Sequence, residues 1–392
     1  MTPHPTPRAG SDRAPGPVRE SDTNMPQTMR AALLHAPGDI RVEEVPVPEP
    51  APREALVRVA ACGVCGSDIP RMLRPGGAYH LPLICGHEFS GHVVALGAEL
   101  AAAGTVKEGD LVAVPPLIPC RRCAPCSQGH FSLCEDYDYF GSRRAGAYAE
   151  YVTVPEGNLM VLPADLDPRA AAMLDPAAIA LHAIWRTKLR TGHRVAVVGA
   201  GPIGLFAVQW ARLAGASEVL SIDVSEQKAA MALEAGATHT ATTPERATEL
   251  AGPGYDVIIE SAGVPATADQ AVRLAARHGQ AVFIGIPHDP VVLPKATFSN
   301  FLRREVTLHG AWNSFSAPFP GDEWRTAARA MGDGSLRWKF MITHELGLDD
   351  VSSTLHQLGE RSIFSSKVLF LPNGTLPNGT PPNGTLPNGD RP

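Results

Sequence analysis

The sequence predicts an α/β plus β chain in which a doubly wound parallel sheet is inserted into a partly open β-barrel. Three observations lead there. From Met29 to about Ala172, short apolar runs recur between Pro and Gly ("RAALLH", "IRVEEV", "EALVRVA", "GHVVALG", "DLVAVP", "AEYVTV"), the spacing of strands joined by turns. After "DPAAIALHAIWRT", which reads as a helix, strands and helices alternate: "HRVAVVGAG", "PIGLFAVQWARLAGA", "EVLSIDV", "SEQKAAMALEAGA", "YDVIIESAG", "PATADQAVRLAARHG" and "GQAVFIGIP". Continuous apolar strands separated by helices form a parallel sheet buried on both faces. The closing "SSKVLFLP" reads as a strand that returns to the first part.

In chain order, residues 1–28 are rich in Pro and charge and are expected to be a disordered extension. Residues 29–176 form the β-rich catalytic domain, with a four-cysteine lobe at 118–136. Residues 177–311 form the nucleotide-binding domain, and 312–371 return to the catalytic domain. Residues 372–392, "PNGTLPNGTPPNGTLPNGDRP", repeat turn-forming Pro, Asn and Gly and are expected to be a solvated tail. Its three Asn-Gly-Thr triplets match the glycosylation pattern only formally, because the N-terminus lacks the apolar core of a signal peptide.

Hydrophobic residues make up 44% of the 392 and charged ones 19%, the balance of a globular chain long enough for two domains. A net charge of −6 without a basic stripe offers nucleic acid nothing to hold. No run reaches the roughly 18 apolar residues that a membrane helix requires. The expectation is a soluble cytoplasmic protein, whose seven cysteines bind metal or react rather than pair.

Three constellations carry chemistry. In "VVGAGPIGLFAVQW", Gly199, Gly201 and Gly204 form G-x-G-x-x-G between a strand and a helix that Pro202 and Ile203 open. Such a loop brings backbone close to a dinucleotide pyrophosphate at the positive helix N-terminus. Asp223 follows Gly204 by nineteen positions, where a carboxylate accepts from the ribose hydroxyls of NAD and repels the extra phosphate of NADP. Lys228 lies within reach of the same ribose.

The second constellation is Cys120, Cys123, Cys126 and Cys134, four thiolates within fifteen residues, enough to close the coordination of one structural zinc. Their spacing fits neither common ferredoxin pattern. The third is Cys65 with His87 and Glu88: a thiolate, an imidazole and a carboxylate suit a catalytic zinc with an open position. A further ligand is expected at Asp175, where the two domains would meet, and the Ser67 hydroxyl is placed to relay the proton of an alcohol. Zinc as Lewis acid and a nicotinamide as hydride acceptor then make an alcohol dehydrogenase. Cys62 and Cys85 are left over; Cys62-x-x-Cys65 has redox spacing, but Cys65 is better used on metal and Cys62 as a small buried hydrophobe.

These residues resemble the zinc-containing medium-chain alcohol dehydrogenases over roughly Met29 to Pro372: "GVCGSD", "GHE", the four-cysteine lobe, "GAYAEYVTVP" and "GAGPIG" occur in that family's order and spacing. The resemblance implies a GroES-like catalytic domain around a Rossmann coenzyme domain. It implies Cys65 and His87 as catalytic zinc ligands, Glu88 as the adjoining carboxylate and the four-cysteine lobe as the structural zinc site. Longer stretches, "CGSDIPR", "LICGHEFSG", "YDYFGSRRAGAYAEY" and "ATFSNFLRREVTLHGAWNSFSAPFPGDEW", are similar to a branch acting on polyol phosphates, which implies NAD-linked oxidation of a secondary alcohol to a ketose phosphate. Two departures stand out. Asp175 occupies a position where the polyol branch places Glu, and Pro70 one where many family members place a relay histidine.

A phosphate calls for paired guanidiniums, and Arg71, Arg74, Arg143 and Arg144 lie near the motifs. Trp312, Asn313 and Ser314 are candidates to line the pocket from the other side. The stretch "HELGLDD" is similar to one in cyclitol and aminocyclitol dehydrogenases on the same scaffold, a resemblance that implies such a substrate as the alternative, with an acidic group to meet the amine. A non-catalytic NAD-binding regulator or a zinc-free quinone reductase would have lost ligands that this chain keeps. Family members are dimers or tetramers pairing edge strands, so a small-molecule substrate and a homodimer or homotetramer are expected, with "GQAVFIGIP" as the edge.

Overall fold

Six strands make a wholly parallel sheet in the order His239–Ala241, Glu218–Ile222, Arg194–Val198, Tyr255–Glu260, Ala275–Phe283, Thr307–Gly310. The computed structural model describes residues 25–376. Arg194–Val198, with four consecutive buried residues, is the central strand from which the order reverses, the crevice where open α/β sheets bind their ligands. The helix Pro202–Leu213 leaves that strand through the glycine loop and packs back on the sheet through Leu205, Phe206 and Ala207.

The catalytic domain wraps this insertion. Its main sheet runs Met160–Val161, Leu111–Val114, Glu88–Leu96, Glu54–Gly63, Lys367–Phe370, Ile342–Leu346, with Tyr151–Pro155 also pairing Glu54–Gly63. Tyr151–Pro155 alternates buried and half-buried residues, as a strand with one face on a core should. Lys367–Phe370 comes from the chain's far end and pairs antiparallel with Glu54–Gly63, matching Phe370 to Cys62. Among the described residues, no helix is long and apolar enough to cross a membrane.

The two domains share one hydrophobic cluster. It extends from Leu111, Phe131 and Cys134 of the catalytic domain through the helix Leu174–Trp185 to Trp210, Phe315 and Trp324. Nine of that helix's twelve residues are buried, so it serves as a shared spine. The Trp210 indole donates 3.0 Å to the Ala177 carbonyl, and His182 meets Glu323 at 2.8 Å on the same helix.

Three sequence expectations shift. The N-terminal extension ends earlier, because Gln27 accepts from the Val47 N–H and Thr28 already pairs with Pro46. "GQAVFIGIP" is not an edge, since Ala275–Phe283 lies between Tyr255–Glu260 and Thr307–Gly310; the latter is the edge strand. The first residues assigned to the tail belong to the barrel: the Asn373 amide donates 2.9 Å to the Val59 and 2.9 Å to the Glu150 carbonyl, and Leu376 packs beside Ala61, Ala172 and Leu369. The later repeats lie outside the described residues.

Asn373→Ala removes donors from two half-buried carbonyls, which should cost about 1–3 kcal/mol and lower Tm by a few degrees. Differential scanning calorimetry checks this, and an unchanged Tm would remove Asn373 from the fold's supports.

Candidate active site

The loop between Gly63 and the helix Asp68–Leu73 carries Cys65 and Ser67, and its shape is set by Asp68. The Asp68 carboxylate is fully buried and accepts from the Cys65 N–H at 3.0 Å, the Tyr148 hydroxyl at 3.0 Å and Arg71 Nη1 at 3.2 Å. His87 Nδ1 faces the same carboxylate at 3.4 Å. Burial alone would raise the Asp68 carboxyl, but His87, Arg71 and the Cys65 N–H together hold it down to about 2. With Nδ1 turned to Asp68, the imidazole leaves Nε2 for a ligand.

His87 and Glu88 open the strand Glu88–Leu96, next to Gly63 of the neighbouring strand. Glu88 forms a buried ion pair with Lys367, whose ammonium also donates 3.1 Å to the Val64 carbonyl. Burial would lower the Lys367 ammonium, but Glu88 raises it, so it remains charged. Neither Asp68 nor Lys367 was among the residues the sequence singled out.

Donor atoms of Cys65, His87 and Glu88 lie within 4.8 Å of one another, a soft sulfur, an imidazole and a carboxylate that fit zinc. Asp175 is not part of that group. It sits in the first turn of Leu174–Trp185, buried, with Oδ1 unpartnered, and borders the same cavity. Its side chain is one methylene shorter than Glu, and Glu88 is the carboxylate that lies near Cys65 and His87. Burial, and then the charge of Glu88, pushes the Asp175 carboxyl up to about 7. The Ser67 hydroxyl makes no capping bond to its helix and also lines the cavity.

The sulfur donors of Cys120, Cys123, Cys126 and Cys134 likewise fall within 4.8 Å of one another. The Arg122 and Cys123 N–H groups help hold the half-buried Cys120 thiol down to about 6, favouring the thiolate that zinc takes. All seven cysteines are free thiols; Cys62 and Cys85 are fully buried among apolar side chains.

In the glycine loop, Gly199 has φ +96°, and a Cβ on Gly204 would meet the Gly199 carbonyl at 1.8 Å, so the helix can approach this closely only with glycine there. A Cβ on Gly201 would meet nothing within 4 Å, leaving an open cradle at the helix N-terminus that suits a pyrophosphate. Asp223 stands at the end of Glu218–Ile222 and takes the Ala200 N–H at 2.8 Å and the Ser225 N–H at 3.0 Å. Each carboxylate oxygen keeps a lone pair for a ribose hydroxyl. Lys228 lies half-buried in the next helix, its N–H tied to the Ser225 hydroxyl at 3.3 Å. Pro202 occupies the first turn of Pro202–Leu213, and Ile203 reaches the cavity.

That cavity, about 230 Å³, is walled by Cys65, Ser67, His87 and Asp175 from one domain and by Ile203, Ile284, Ile286 and Asn313 from the other end of the coenzyme sheet. Of the four arginines expected to matter, it contains Arg71 and Arg143. The Arg143 guanidinium lies 4.0 Å over the Tyr137 ring and 4.9 Å over that of Tyr79, and donates 2.8 Å to the Tyr137 carbonyl. Arg144 turns away to Glu54 at 3.4 Å, and Arg74 is exposed. Among the described residues seven buried side-chain polar atoms lack a hydrogen-bond partner, and four belong to residues of this cavity: His87 Nδ1, which faces Asp68 at 3.4 Å, and Arg71 Nε, Asp175 Oδ1 and Asn313 Nδ2. Polar groups left bare together in one place mark where a ligand completes the bonding.

Comparisons with known proteins match this fold. Residues 51–164 match the model of the alcohol dehydrogenase GroES-like domain, and residues 202–331 that of the zinc-binding dehydrogenase. Galactitol 1-phosphate 5-dehydrogenase of Escherichia coli K12 is 36% identical over 351 residues, which cover 88% of this chain and 100% of that one. The crystal structure of galactitol-1-phosphate dehydrogenase from Escherichia coli superposes with a TM-score of 0.83 at 35% identity, covering 88% and 100% of the two chains. A zinc-binding dehydrogenase structure from Sinorhizobium meliloti 1021, bound to NADP, gives a TM-score of 0.78 at 33% identity over 88% of this chain and 99% of its own.

After dialysis against a chelator, Cys65→Ser and Glu88→Gln should retain one zinc per chain and Asp175→Ala two, measured by plasma mass spectrometry. Asp68→Asn should weaken the labile zinc about 10–100-fold. Loss of a zinc from Asp175→Ala would return that carboxylate to the ligand set.

Proposed function

The chain belongs to the zinc-containing medium-chain alcohol dehydrogenases, and we propose that within this family it oxidises a secondary alcohol of a polyol phosphate, such as galactitol 1-phosphate, to the ketone with NAD. One observation carries the substrate class: two guanidiniums, Arg71 and Arg143, enter the cavity that also holds Cys65, Ser67 and His87. Arginine forks pair with phosphate oxygens, and a guanidinium stacked between two tyrosines is pre-oriented for that task.

Cys65, His87 and Glu88 would hold the catalytic zinc, and the cysteine lobe the structural one. Bound there, zinc supplies Lewis acidity toward the alcohol oxygen, and the nicotinamide a hydride acceptor. The protein's own part is positional. Arg71 and Arg143 anchor the phosphate and so fix which carbon along the chain faces the reacting centre. Ser67, with its hydroxyl uncommitted to the helix, relays the proton that leaves the alcohol, accepting it on oxygen while passing its own on to water. Ile179, Ile203 and Ile284, all half-buried, make that end of the cavity apolar. Asp223 accepts the ribose hydroxyls and disfavours a phosphate in their place, which supports NAD over NADP.

An aminocyclitol is the second reading, favoured by the unpartnered Asp175 Oδ1 in the same cavity. Two cations there weigh against an ammonium ligand. The free thiols and the soluble fold are in keeping with a cytoplasmic setting. The edge strand Thr307–Gly310, with Leu308 exposed beside an apolar groove of about 300 Å³ lined by Val264, Phe283, Val291 and Leu293, supports a homodimer formed along that edge.

NADH formation with galactitol 1-phosphate should exceed that with galactitol, sorbitol or an aminocyclitol by about 100-fold in kcat/KM, and Arg143→Met should remove most of that preference. Turnover of the aminocyclitol alone would overturn the phosphate reading. Light scattering should give a dimer that Leu308→Arg converts to monomer; a monomeric wild type would refute the edge-strand assignment.

A further inference from the structure

We propose that Asn313 is a specificity-determining residue, donating its side-chain amide to a hydroxyl oxygen of the substrate chain from the coenzyme side of the cavity. This deepens the reading above and rests on the substrate being polyhydroxylated.

Three independent observations meet at this residue. Asn313 follows the last strand of the coenzyme sheet and lines the cavity that holds Cys65, Ser67 and Arg143. Its backbone is left-handed, with φ +54°, a conformation that Asn tolerates better than most residues with a Cβ and that is found where function requires it. Its Nδ2 is buried with no partner among the described residues.

The surrounding segment is over-determined, so this conformation is imposed rather than loose. The next residue, Ser314, is buried and accepts from the Trp324 indole at 3.1 Å. Phe315 is then bound both ways to Ser132 of the zinc lobe, its N–H donating 2.8 Å to the serine hydroxyl and its carbonyl accepting the serine N–H at 3.1 Å. The chain is thereby clamped to the catalytic domain just past Asn313, and the amide is held in place without a bond of its own.

The chemistry of the cavity selects the ligand class. Arg71 Nε and Asn313 Nδ2 offer donors, and Asp175 Oδ1 offers an acceptor, all unpartnered. A chain of hydroxyls satisfies both kinds at once, because each hydroxyl gives one hydrogen bond and takes two. A monoalcohol leaves most of them bare, and a buried donor without an acceptor disfavours that complex. Asn313 thus reads hydroxyl oxygens, while Arg71 and Arg143 read the phosphate.

The test uses the full-length, zinc-loaded enzyme with Asn313→Asp, which keeps the shape and reverses the donor, and Asn313→Gly, which keeps the left-handed backbone and removes the amide. With whichever of galactitol 1-phosphate, galactitol and sorbitol the wild type uses best, kcat/KM should fall about 10–100-fold in both variants. The fall for propan-2-ol should stay within about threefold, and the NADH dissociation constant, by fluorescence titration, should hold within about twofold. An equal fall for propan-2-ol would mark Asn313 as structural, a matching loss of NADH affinity would give the amide to the coenzyme, and an unchanged kcat/KM would leave it no role; each overturns the proposal. Equal wild-type use of galactitol and its phosphate would sink the phosphate reading alone, since the comparison of polyol with monoalcohol does not depend on it.

Discussion

A carboxylate with no access to water is tolerable only inside a ring of donors, and Asp68 stands in such a ring. It takes the Cys65 N–H, the Tyr148 hydroxyl and Arg71, and it faces His87. One buried group therefore sets the thiol loop, the imidazole orientation and a guanidinium of the substrate cavity. Tyr148 in turn packs edge-on against Phe370, at 5.2 Å between ring centroids. Phe370 lies on the strand whose first residue, Lys367, neutralises Glu88. Asp68 and Glu88, two of the three buried carboxylates of the site, are thus connected through a single strand.

The second constraint is the shared core. A reaction between groups held by different domains needs those domains in fixed register. Here the helix Leu174–Trp185 belongs to both, carrying Asp175 into the cavity at one end and packing on the glycine-loop helix along its length. The four-cysteine lobe joins the same cluster through Cys126, Phe131 and Cys134, beside Phe315 and Trp324. A loop excursion too small for a core of its own thereby becomes one wall of the domain junction.

Much of this was legible in the sequence, and the reasons are local. Cysteines three residues apart, or glycines in a fixed rhythm after an apolar strand, announce their chemistry through spacing alone. Cys65, His87 and Glu88 needed only the further idea that a loop can face a strand end. What stayed hidden depended on three-dimensional pairing. Asp68 reads as an ordinary acidic residue in a helix's first turn; the clue was that a ligating histidine needs a partner for its second nitrogen. Lys367 reads as a solvated lysine, although a charge inside "KVLF" hinted at burial with a counter-ion. Asp175 was found, but its reach was not, because a one-methylene difference becomes a distance only when the backbone is placed. The edge of the coenzyme sheet was misplaced by one strand because Thr307–Gly310, four residues long and largely exposed, lacks the apolar signature of its neighbours.

Glu88 and Lys367 are 279 positions apart in the chain, and the strand carrying Lys367 is inserted beside Glu54–Gly63 in the middle of the barrel sheet. Domains generally fold as units while a chain is still being made from its N-terminus. The coenzyme sheet, complete by Gly310, is therefore able to form while the barrel still lacks an interior strand and Glu88 still lacks its counter-charge. Along the chain the inserted sheet is complete first, and the domain that surrounds it receives its interior strand last. The last strand among the described residues therefore does two things at once: it fills the interior of the barrel sheet and brings Glu88 its counter-charge.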